Sequence, residues 1–286
     1  MPLDAAERIS MLETMLLIRE FEARVAAPHA AGSAPAAFPC GGREASAVGT
    51  MRALAADDRV IVHGRSAGPL LARGADAGRL LAELLGRRDG YCRGRAGAAS
   101  AGVRELGVVP APAVAGGGLL VAPGVAFAQK TLRLPGITAV VFDGSAACGG
   151  VFHEALRLAA SWQLPLLFVC EGEAGLDAPV RAWAESHELP ALRLDGHDVE
   201  AVRAAIRQAR SAVAESGRPH FVELAATPSR DPIEHQRDAL LAARVLSRGE
   251  LSAMEQRVAA GVDAAVEFAQ SSPFPEPHEL AEPARA

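Results

Sequence analysis

Apolar runs and amphipathic stretches alternate along this chain, and residues 137–175 show the alternation most clearly. An apolar run over 137–142 predicts a buried strand, and a loop of small residues follows over 145–150. The next apolar residues recur at helical spacing as far as Leu164-Pro165, because proline cannot continue a helix and restricts the residue before it. A second apolar run over 166–170 predicts another strand. The stretch therefore predicts a strand–helix–strand unit of a parallel sheet.

Two acidic residues stand just beyond these predicted strands. Asp143 follows the first strand, and Glu173 comes shortly after the second. Neighbouring parallel strands end at the same edge of a sheet, so we expect both side chains at the carboxyl edge, where open α/β sheets bind ligands. Carboxylates placed there are the hard oxygen ligands that Mg²⁺ uses together with substrate phosphates. The alternative is that two strand ends simply carry solvated acids, and this stretch alone favours neither interpretation.

The rest of the chain continues the same alternation. Residues 4–26 carry an apolar stripe at helical spacing and predict an amphipathic helix, whereas residues 27–41 are rich in alanine, glycine and proline and predict a loop. Later patterns include a helix capped by Asp198 and a helical C-terminal segment over 233–286. We therefore predict an α/β fold, a mostly parallel sheet with helices on both faces, in a single domain over residues 1–286.

Composition and charge exclude several functional classes. Half of the 286 residues are apolar, enough for a full hydrophobic core, and the net charge of −5 comes without a basic cluster. Nucleic acid is therefore not an expected partner. No apolar run approaches the roughly 20 residues of a membrane span, and the N-terminus lacks the pattern of a secretory signal. The four cysteines are scattered without a CxxC pair, so we expect reduced thiols in a cytoplasmic protein with no membrane contact.

The segment HEALRLAASWQLPLLFVCEG, residues 153–172, carries a family resemblance. With the preceding Asp143-Gly144 it resembles the thiamine-diphosphate motif of 2-oxo acid dehydrogenases, which begins Gly-Asp-Gly and ends Asn-Asn. It resembles most the alpha subunit of the heterotetrameric first component, as in pyruvate, branched-chain and acetoin dehydrogenases. Two endpoints differ from the family: Phe142 replaces the first glycine, which has no Cβ, and Glu173 replaces the asparagine that ligates Mg²⁺.

Other segments extend the resemblance over nearly the whole chain. MLLIREFEARV resembles the family's first helix, and GGREASAVGT resembles its Gly-Gln-Glu-Ala segment, a helix start that approaches the cofactor. DDRVIVHGRSAGPLLARG resembles the segment that binds the cofactor diphosphate, and Arg65 keeps the family's arginine. On the residues alone Arg65 is more typical of a surface. The resemblance favours a phosphate contact, to which a planar guanidinium is well suited.

The resemblance implies a thiamine-diphosphate-binding fold with a thiamine diphosphate and Mg²⁺ site. Asp143 and Glu173 would ligate the metal, and Arg65 would contact the diphosphate. The backbone near Ala113 and Ala115 would contact the thiamine pyrimidine. The remaining cofactor-binding candidates come from the two ends of the motif: Gly144, Ser145 and Gly175.

Several catalytic positions of the family are changed in this chain. Phe38, Ala67 and Ser100 stand where the family has histidines. The loop before Asp231-Pro232 is shorter and lacks a further catalytic histidine, and His235 lies beyond it at the wrong register. Losing one general acid or base typically costs about 10²–10⁴-fold in rate. The sequence therefore leaves the catalytic residues of this chain unknown.

The resemblance implies a divergent alpha-type subunit that works with a beta-type subunit in an α2β2 heterotetramer. Their reaction would be oxidative decarboxylation of a 2-oxo acid, followed by acyl transfer. One alternative is a catalytically impaired pseudoenzyme that keeps the fold for assembly or regulation. Another is altered chemistry on a nonstandard acyl donor, with the beta-type subunit supplying the missing groups.

Overall fold

The computed structural model describes residues 3–30, 40–62, 67–97, 100–112, 114–172, 180–225 and 231–281. Its strands, in chain order, are β1 Arg59–Val62, β2 Val108–Val109, β3 Thr138–Asp143, β4 Leu166–Glu171, β5 Ala191–Asp195 and β6 His220–Ala225. Its helices are α1 Ala5–Ala30, α2 Glu44–Ala53, α3 Ala67–Arg73, α4 Ala77–Leu84, α5 Gly117–Leu132, α6 Gly150–Trp162, α7 Val180–Ser186, α8 Val199–Ser216, α9 Pro232–Ala242 and α10 Arg248–Ser271. Short 3₁₀ turns lie at Arg104–Leu106, Gly144–Cys148 and Pro277–Ala281.

The six strands form one parallel sheet in the order β2-β1-β3-β4-β6-β5. The predicted strand–helix–strand unit is β3, α6 and β4, and its two strands pair directly. All six residues of β4 are buried, as is typical of a parallel sheet covered on both faces. The predicted α/β class with a mostly parallel sheet is therefore confirmed.

The order of the strands also marks the ligand-binding edge of the sheet. The next strand in the chain after β1 is β2, which pairs with it on one side. The next strand after β3 is β4, which pairs with it on the opposite side. The direction of winding therefore reverses between β1 and β3. In open α/β sheets ligands bind at such a switch point, beyond the carboxyl ends of the strands. Asp143, the last residue of β3, lies at this point.

Two apolar cores flank the sheet, because side chains of a strand point alternately to its two faces. On β3, Ala139 and Val141 belong to the larger core, which also takes in residues of α1, α2, α4, α8 and α10. Val140 and Phe142 belong to the smaller core, with residues of α5, α6 and α7. Helices thus cover both faces, as predicted.

The N-terminal helix differs in extent from its prediction over residues 4–26. α1 begins at Ala5 and continues to Ala30, four residues into the stretch that was expected to be a loop. Alanine has the highest helix propensity of all residues, which favours continuation through the alanines of this stretch. The predicted cap of α8 is confirmed, because the Asp198 side chain accepts from the backbone N–H groups of Glu200 and Ala201.

The two longest helices, α1 and α10, pack against each other. Arg257 of α10 donates to Glu13 of α1 at 3.0 Å, and Arg24 pairs with Asp263 further along. Both helices contribute to the larger core. Neither they nor any other helix in the described part of the chain is long and apolar enough to cross a membrane.

Candidate functional site

Two carboxylates end neighbouring strands at the carboxyl edge of the sheet. Asp143 is the last residue of β3, Glu171 is the last of β4, and the two are register partners. Because side chains alternate along a strand, both belong to the same face as Val141 and Val169, which is the face of the larger core. Glu171 is almost fully buried, whereas the Asp143 side chain is 17% exposed. The sheet therefore presents two adjacent carboxylates on the face that α2 covers.

The side chain of Arg43 lies against both of these residues. Its Nη1 donates to Oδ1 of Asp143 at 3.1 Å and lies 3.6 Å from Oε2 of Glu171. The same nitrogen lies 3.4 Å from the backbone oxygen of Glu171. Only 14% of the Arg43 side chain is exposed. A single cationic nitrogen is thus surrounded by three oxygen atoms at the end of the central strands.

The position of Arg43 is fixed by the helix that it precedes. Arg43 is the N-cap residue of α2, its N–H donates to the carbonyl of Cys40 at 2.8 Å, and its own carbonyl accepts from Ala47 at 3.0 Å. α2 is buried along nearly its whole length. It packs so closely on α8 that a Cβ at Gly49 would lie 2.8 Å from Cβ of Val202. The backbone of Arg43 therefore cannot move without moving a buried helix.

Glu44, the first residue of α2, has a different partner. It is fully buried, and Arg19 of α1 donates to its Oε1 at 2.9 Å. The same guanidinium donates to Oδ2 of Asp231, the N-cap residue of α9, at 2.6 Å. Arg19 thus links α1, α2 and α9, and Glu44 has a structural role in this link. Of the two neighbouring residues Arg43 and Glu44, Arg43 is the one whose side chain reaches the carboxyl edge of the sheet.

Three of the predicted cofactor residues, besides Asp143, are described. Gly144 and Ser145 begin the 3₁₀ turn after β3, Gly144 buried and Ser145 exposed. Ala115 is exposed in the turn before α5. The next residue, Gly116, has a φ of 75°, and a Cβ there would lie 2.6 Å from Cγ1 of Val151 in the first turn of α6. The turn that carries Ala115 therefore lies against the start of α6. The 3₁₀ turn with Gly144 and Ser145 comes directly before α6 in the sequence.

Four other predicted site residues, Arg65, Ala113, Glu173 and Gly175, lie outside the described residues. Their roles stay predictions. The residue that the structure pairs with Asp143 is Glu171, two positions before Glu173.

Phe142 replaces a glycine of the family motif, but its ring lies away from Asp143. It is fully buried in the smaller core, with ring centroids 6.0 Å from Phe152 and 6.3 Å from Phe221. Since consecutive residues of a strand face opposite sides of the sheet, this ring does not occupy the face on which Asp143 meets Arg43. The phenylalanine therefore adds an apolar side chain to the smaller core. It does not block the contact between Arg43 and Asp143 on the other face of the sheet.

The changed histidine positions have ordinary structural environments. Ala67 is buried at the start of α3, Ser100 is partly exposed, and Phe38 lies outside the described residues. Nε2 of His235 lies 3.8 Å from Oδ2 of Asp198, the cap residue of α8. The structure thus places His235 beside the start of α8.

A buried carboxylate organises the small-residue loop after α4. Glu83 is fully buried, and its Oε2 accepts from the N–H groups of Cys92 at 2.8 Å and Gly94 at 2.9 Å. Its Oε1 accepts from Ala96 at 2.7 Å and Gly97 at 3.3 Å. Four backbone amides therefore converge on one side chain. No pattern in the sequence predicted this role, because Glu83 occupies a regular position of an amphipathic helix.

The Cys170 thiol lies in β4, one residue before Glu171, and faces the smaller core on the opposite side of the sheet. Burial raises the pKa of this thiol well above its usual value, and the negative charges of Glu223, Glu171 and Asp143 raise it further. Arg43 acts in the opposite direction without reversing the shift. Cys170 is therefore a protonated core residue and not a nucleophile. The structure describes all four cysteines, and none of them forms a disulfide.

A divalent cation does not fit the described residues around Asp143. Mg²⁺ requires nearly octahedral oxygen ligands at about 2.0–2.1 Å, whereas Oδ1 of Asp143 is paired with the Arg43 guanidinium. Among the described residues, no group of three or more His, Cys, Asp or Glu side chains could bind a metal ion. The second predicted ligand, Glu173, lies outside them.

These features define a class of protein: an α/β protein whose wholly parallel sheet ends, at its switch point, in a cluster of charged side chains. The chain belongs to the dehydrogenase E1 component family, whose model matches residues 12–227. This is a family of thiamine-diphosphate-dependent enzymes, and the chain is like their alpha subunits.

Named relatives agree with this assignment. The chain is 29% identical to the alpha subunit of acetoin:2,6-dichlorophenolindophenol oxidoreductase from Bacillus subtilis, over 94% of this chain and 91% of that protein. It is 28% identical to the subunit of the same name from Cupriavidus necator, over 98% and 94%. It is 31% identical to the mitochondrial pyruvate dehydrogenase E1 component subunit alpha from Solanum tuberosum, over 84% and 69%. The predicted family is therefore confirmed.

Proposed function

We propose that this chain is the alpha-type subunit of a thiamine-diphosphate-dependent 2-oxo acid dehydrogenase, which catalyses oxidative decarboxylation and acyl transfer. The observation that carries the proposal is the position of Asp143. The aspartate of the family motif ends β3 at the switch point of the sheet, next to the start of α2. Thiamine diphosphate, when bound, supplies the carbanion chemistry, so this chain has to bind and orient it.

Positive groups at this edge suit a diphosphate ligand. Arg43 lies at the N-terminus of α2, and no side chain of the described residues caps that helix end. Uncapped N–H groups and the helix dipole attract anions. Ser145 exposes a hydroxyl in the neighbouring turn. We propose that Arg43 and Arg65 bind the diphosphate, with Ser145 beside it, and that Ala113 and Ala115 offer backbone contacts to the thiamine ring.

A beta-type subunit is the proposed partner, in an α2β2 complex. The named relatives are themselves alpha subunits. An apolar face for such a partner lies along α5 and the end of α6, where Leu120 is 62% exposed, Phe127 46% and Trp162 49%. The rings of Phe127 and Trp162 lie 5.2 Å apart. Several large apolar side chains exposed together are typical of a protein interface.

The partner proposal is tested by copurification of a tagged chain with the beta-type subunit. We expect the double variant L120S/F127S to lose the partner, whereas L192S, at an exposed position of β5, retains it. Retention by L120S/F127S would show that another face binds the beta-type subunit. We also propose a cytoplasmic location, because four scattered cysteines without a CxxC pair are typical of reduced thiols.

A second candidate function is a pseudoenzyme that keeps the fold for assembly. Two observations favour it: Asp143 is paired with Arg43, and Ala67 and Ser100 replace histidines. The two functions are separated by calorimetric titration of thiamine diphosphate into the copurified complex. The enzyme proposal expects micromolar or tighter binding, about −8 kcal/mol, which R65Q weakens at least tenfold while R52Q does not. No binding to a folded complex would reject the enzyme and leave the pseudoenzyme.

If the cofactor binds, a panel of 2-oxo acids with an artificial electron acceptor identifies the substrate. Turnover of any member supports a dehydrogenase, and binding without turnover supports altered chemistry on another acyl donor. The relatives' names cover pyruvate and acetoin enzymes, so pyruvate belongs in the panel, and acetoin, which is a hydroxyketone and not a 2-oxo acid, is assayed beside it.

A further inference from the structure

We propose that Arg43 takes the place of the divalent cation at this site, so that the chain binds its diphosphate ligand without a metal. This inference rests on the proposed function, which identifies the site as one that binds a diphosphate. The inference itself comes from the geometry around one nitrogen atom.

Nη1 of Arg43 occupies the position of a cation between oxygen atoms. It lies 3.1 Å from Oδ1 of Asp143, 3.4 Å from the backbone oxygen of Glu171 and 3.6 Å from Oε2 of Glu171. These three oxygens come from the last residues of two adjacent strands. A metal ion at Asp143 would have to displace this guanidinium or share the carboxylate with it. Two cations at one carboxylate repel each other strongly in a partly buried site.

Arg43 cannot easily withdraw to admit a metal. Its backbone is bonded on both sides, to Cys40 and to Ala47, at the start of a helix that is packed against α8. The side chain is 86% buried. Moving it into water would leave the Glu171 carboxylate, which is 95% buried, without this cation. Removing one partner of such a buried charge cluster is costly.

The sequence contains a matching pair of charge changes. Arg43 stands where the family segment has glutamine, and Glu173 stands where the family motif has the metal-ligating asparagine. One change adds a positive charge and the other a negative charge, so the formal charge of the two positions together is unchanged. A permanent cation on the protein removes the need for the metal-ligating asparagine of the family motif. It also suits a diphosphate, because the guanidinium makes paired, charge-assisted hydrogen bonds to phosphate oxygens.

Binding of Mn²⁺, followed by electron paramagnetic resonance, tests the exclusion of the metal without requiring activity. We expect the wild-type complex and D143N to bind Mn²⁺ equally weakly. R43Q, which restores the family's residue, should bind at least tenfold more tightly, and R43Q/D143N should lose that gain. R52Q, at the other end of α2, is the matched control and should behave as wild type.

Tight Mn²⁺ binding to the wild type that D143N abolishes would overturn the inference. So would an R43Q variant that folds but gains no affinity. If R43Q does not fold, the comparison of wild type with D143N can still overturn the inference.

Titration of thiamine diphosphate in EDTA and in excess Mg²⁺ tests the second half of the inference. We expect affinities within about twofold of each other. A tenfold tighter complex in Mg²⁺, equal to about 1.4 kcal/mol, would overturn metal-free binding. Absence of binding in both buffers would reject the proposed function together with metal-free binding, whereas the Mn²⁺ comparison would still report whether Arg43 excludes the cation.

Discussion

Arg210 of α8 donates two hydrogen bonds to Asp58, a fully buried carboxylate that comes just before β1 and is 152 residues away in sequence. The nitrogen–oxygen distances are 3.1 Å from Nε and 3.0 Å from Nη2. Asp58 also accepts from the backbone N–H groups of Ala55 and Ile137. One carboxylate therefore joins a helix, the start of β1 and the start of β3.

We expect D58N to lower the free energy of unfolding by about 3–5 kcal/mol, because asparagine accepts with one oxygen only and loses at least two of the four hydrogen bonds that Asp58 accepts, each contributing about 1.5–3 kcal/mol at a charged group. Urea denaturation followed by circular dichroism measures the change. D57N is the matched control, since Asp57 is half exposed and lies 3.7 Å from Arg210. A loss below about 1 kcal/mol in D58N, within the range of exposed pairs, would contradict the structural role of Asp58.

Replacing Glu83 should loosen the loop that follows α4. Glutamine can accept with only one oxygen, so at least two of the four backbone N–H groups lose their partner in E83Q. We expect trypsin to cut after Arg93 or Arg95 at least tenfold faster than in wild type. Mass spectrometry of the fragments identifies the site. E105Q, at an exposed glutamate of the neighbouring 3₁₀ turn, should leave the rate unchanged. Equal rates in E83Q and wild type would exclude this role of Glu83.

Thiol labelling should distinguish the four cysteines. Cys148 is exposed, whereas Cys40 and Cys170 are buried and burial raises the pKa of Cys170. Burial also raises the pKa of the Cys92 thiol. Since the thiolate is the reactive form, we expect iodoacetamide at pH 7.5 to modify Cys148 first. Peptide mapping identifies the labelled residue, and C148S should remove the fast phase. Rapid labelling of Cys170 in the folded protein would contradict its burial.

The Asp231 carboxylate should make stability depend on pH. Burial acts to raise its pKa, but hydrogen bonds from Arg19 and from the N–H groups of Glu234 and Ile233, with the charge of Arg19, outweigh burial and lower the pKa. A lowered pKa means that the ionised form is favoured in the folded state. Its contribution is therefore fully present above the unfolded value of about 3.9 and is lost as pH falls through the folded pKa.

We expect D231N to be less stable than wild type at pH 6 and the difference to shrink below about pH 4. Asparagine can still cap α9, so this variant isolates the charge. Urea denaturation at several pH values measures both proteins. D238N, at an exposed carboxylate of the same helix, is the control. A difference that stays constant down to pH 3 would assign the loss in D231N to something other than this charge.

The sheet and its order of elements could be predicted from the sequence because parallel strands are buried on both faces. The runs at 137–142 and 166–170 are apolar except for Thr138, and they correspond to β3 and β4 within one residue at each end. Asp143 could be placed at the carboxyl edge for the same reason. α1 was predicted too short, because a composition of alanine and proline does not by itself distinguish a loop from the last turns of a helix.

The charged cluster could not be predicted in the same way. Arg43 and Asp143 are 100 residues apart, and only the packing of α2 among the helices of the larger core brings them together. The sequence did show an arginine at position 43, where the family has glutamine. This change is informative only when it is considered together with the additional negative charge of Glu173. The roles of Glu83 and Asp58 could not be predicted from the sequence. Glu83 accepts from backbone amides, and Asp58 accepts from backbone amides and from an arginine that is distant in sequence.

The packing of α1 on α10 has a consequence for how the chain is made. Glu13 and its partner Arg257 are 244 residues apart. At a synthesis rate of about 5–20 residues per second, α1 leaves the ribosome on the order of 10–50 seconds before α10 can reach it. During that interval the apolar stripe of α1 lacks α10, one of the helices that finally pack against it. Newly made chains are therefore expected to be more prone to aggregation until α10 has been synthesised.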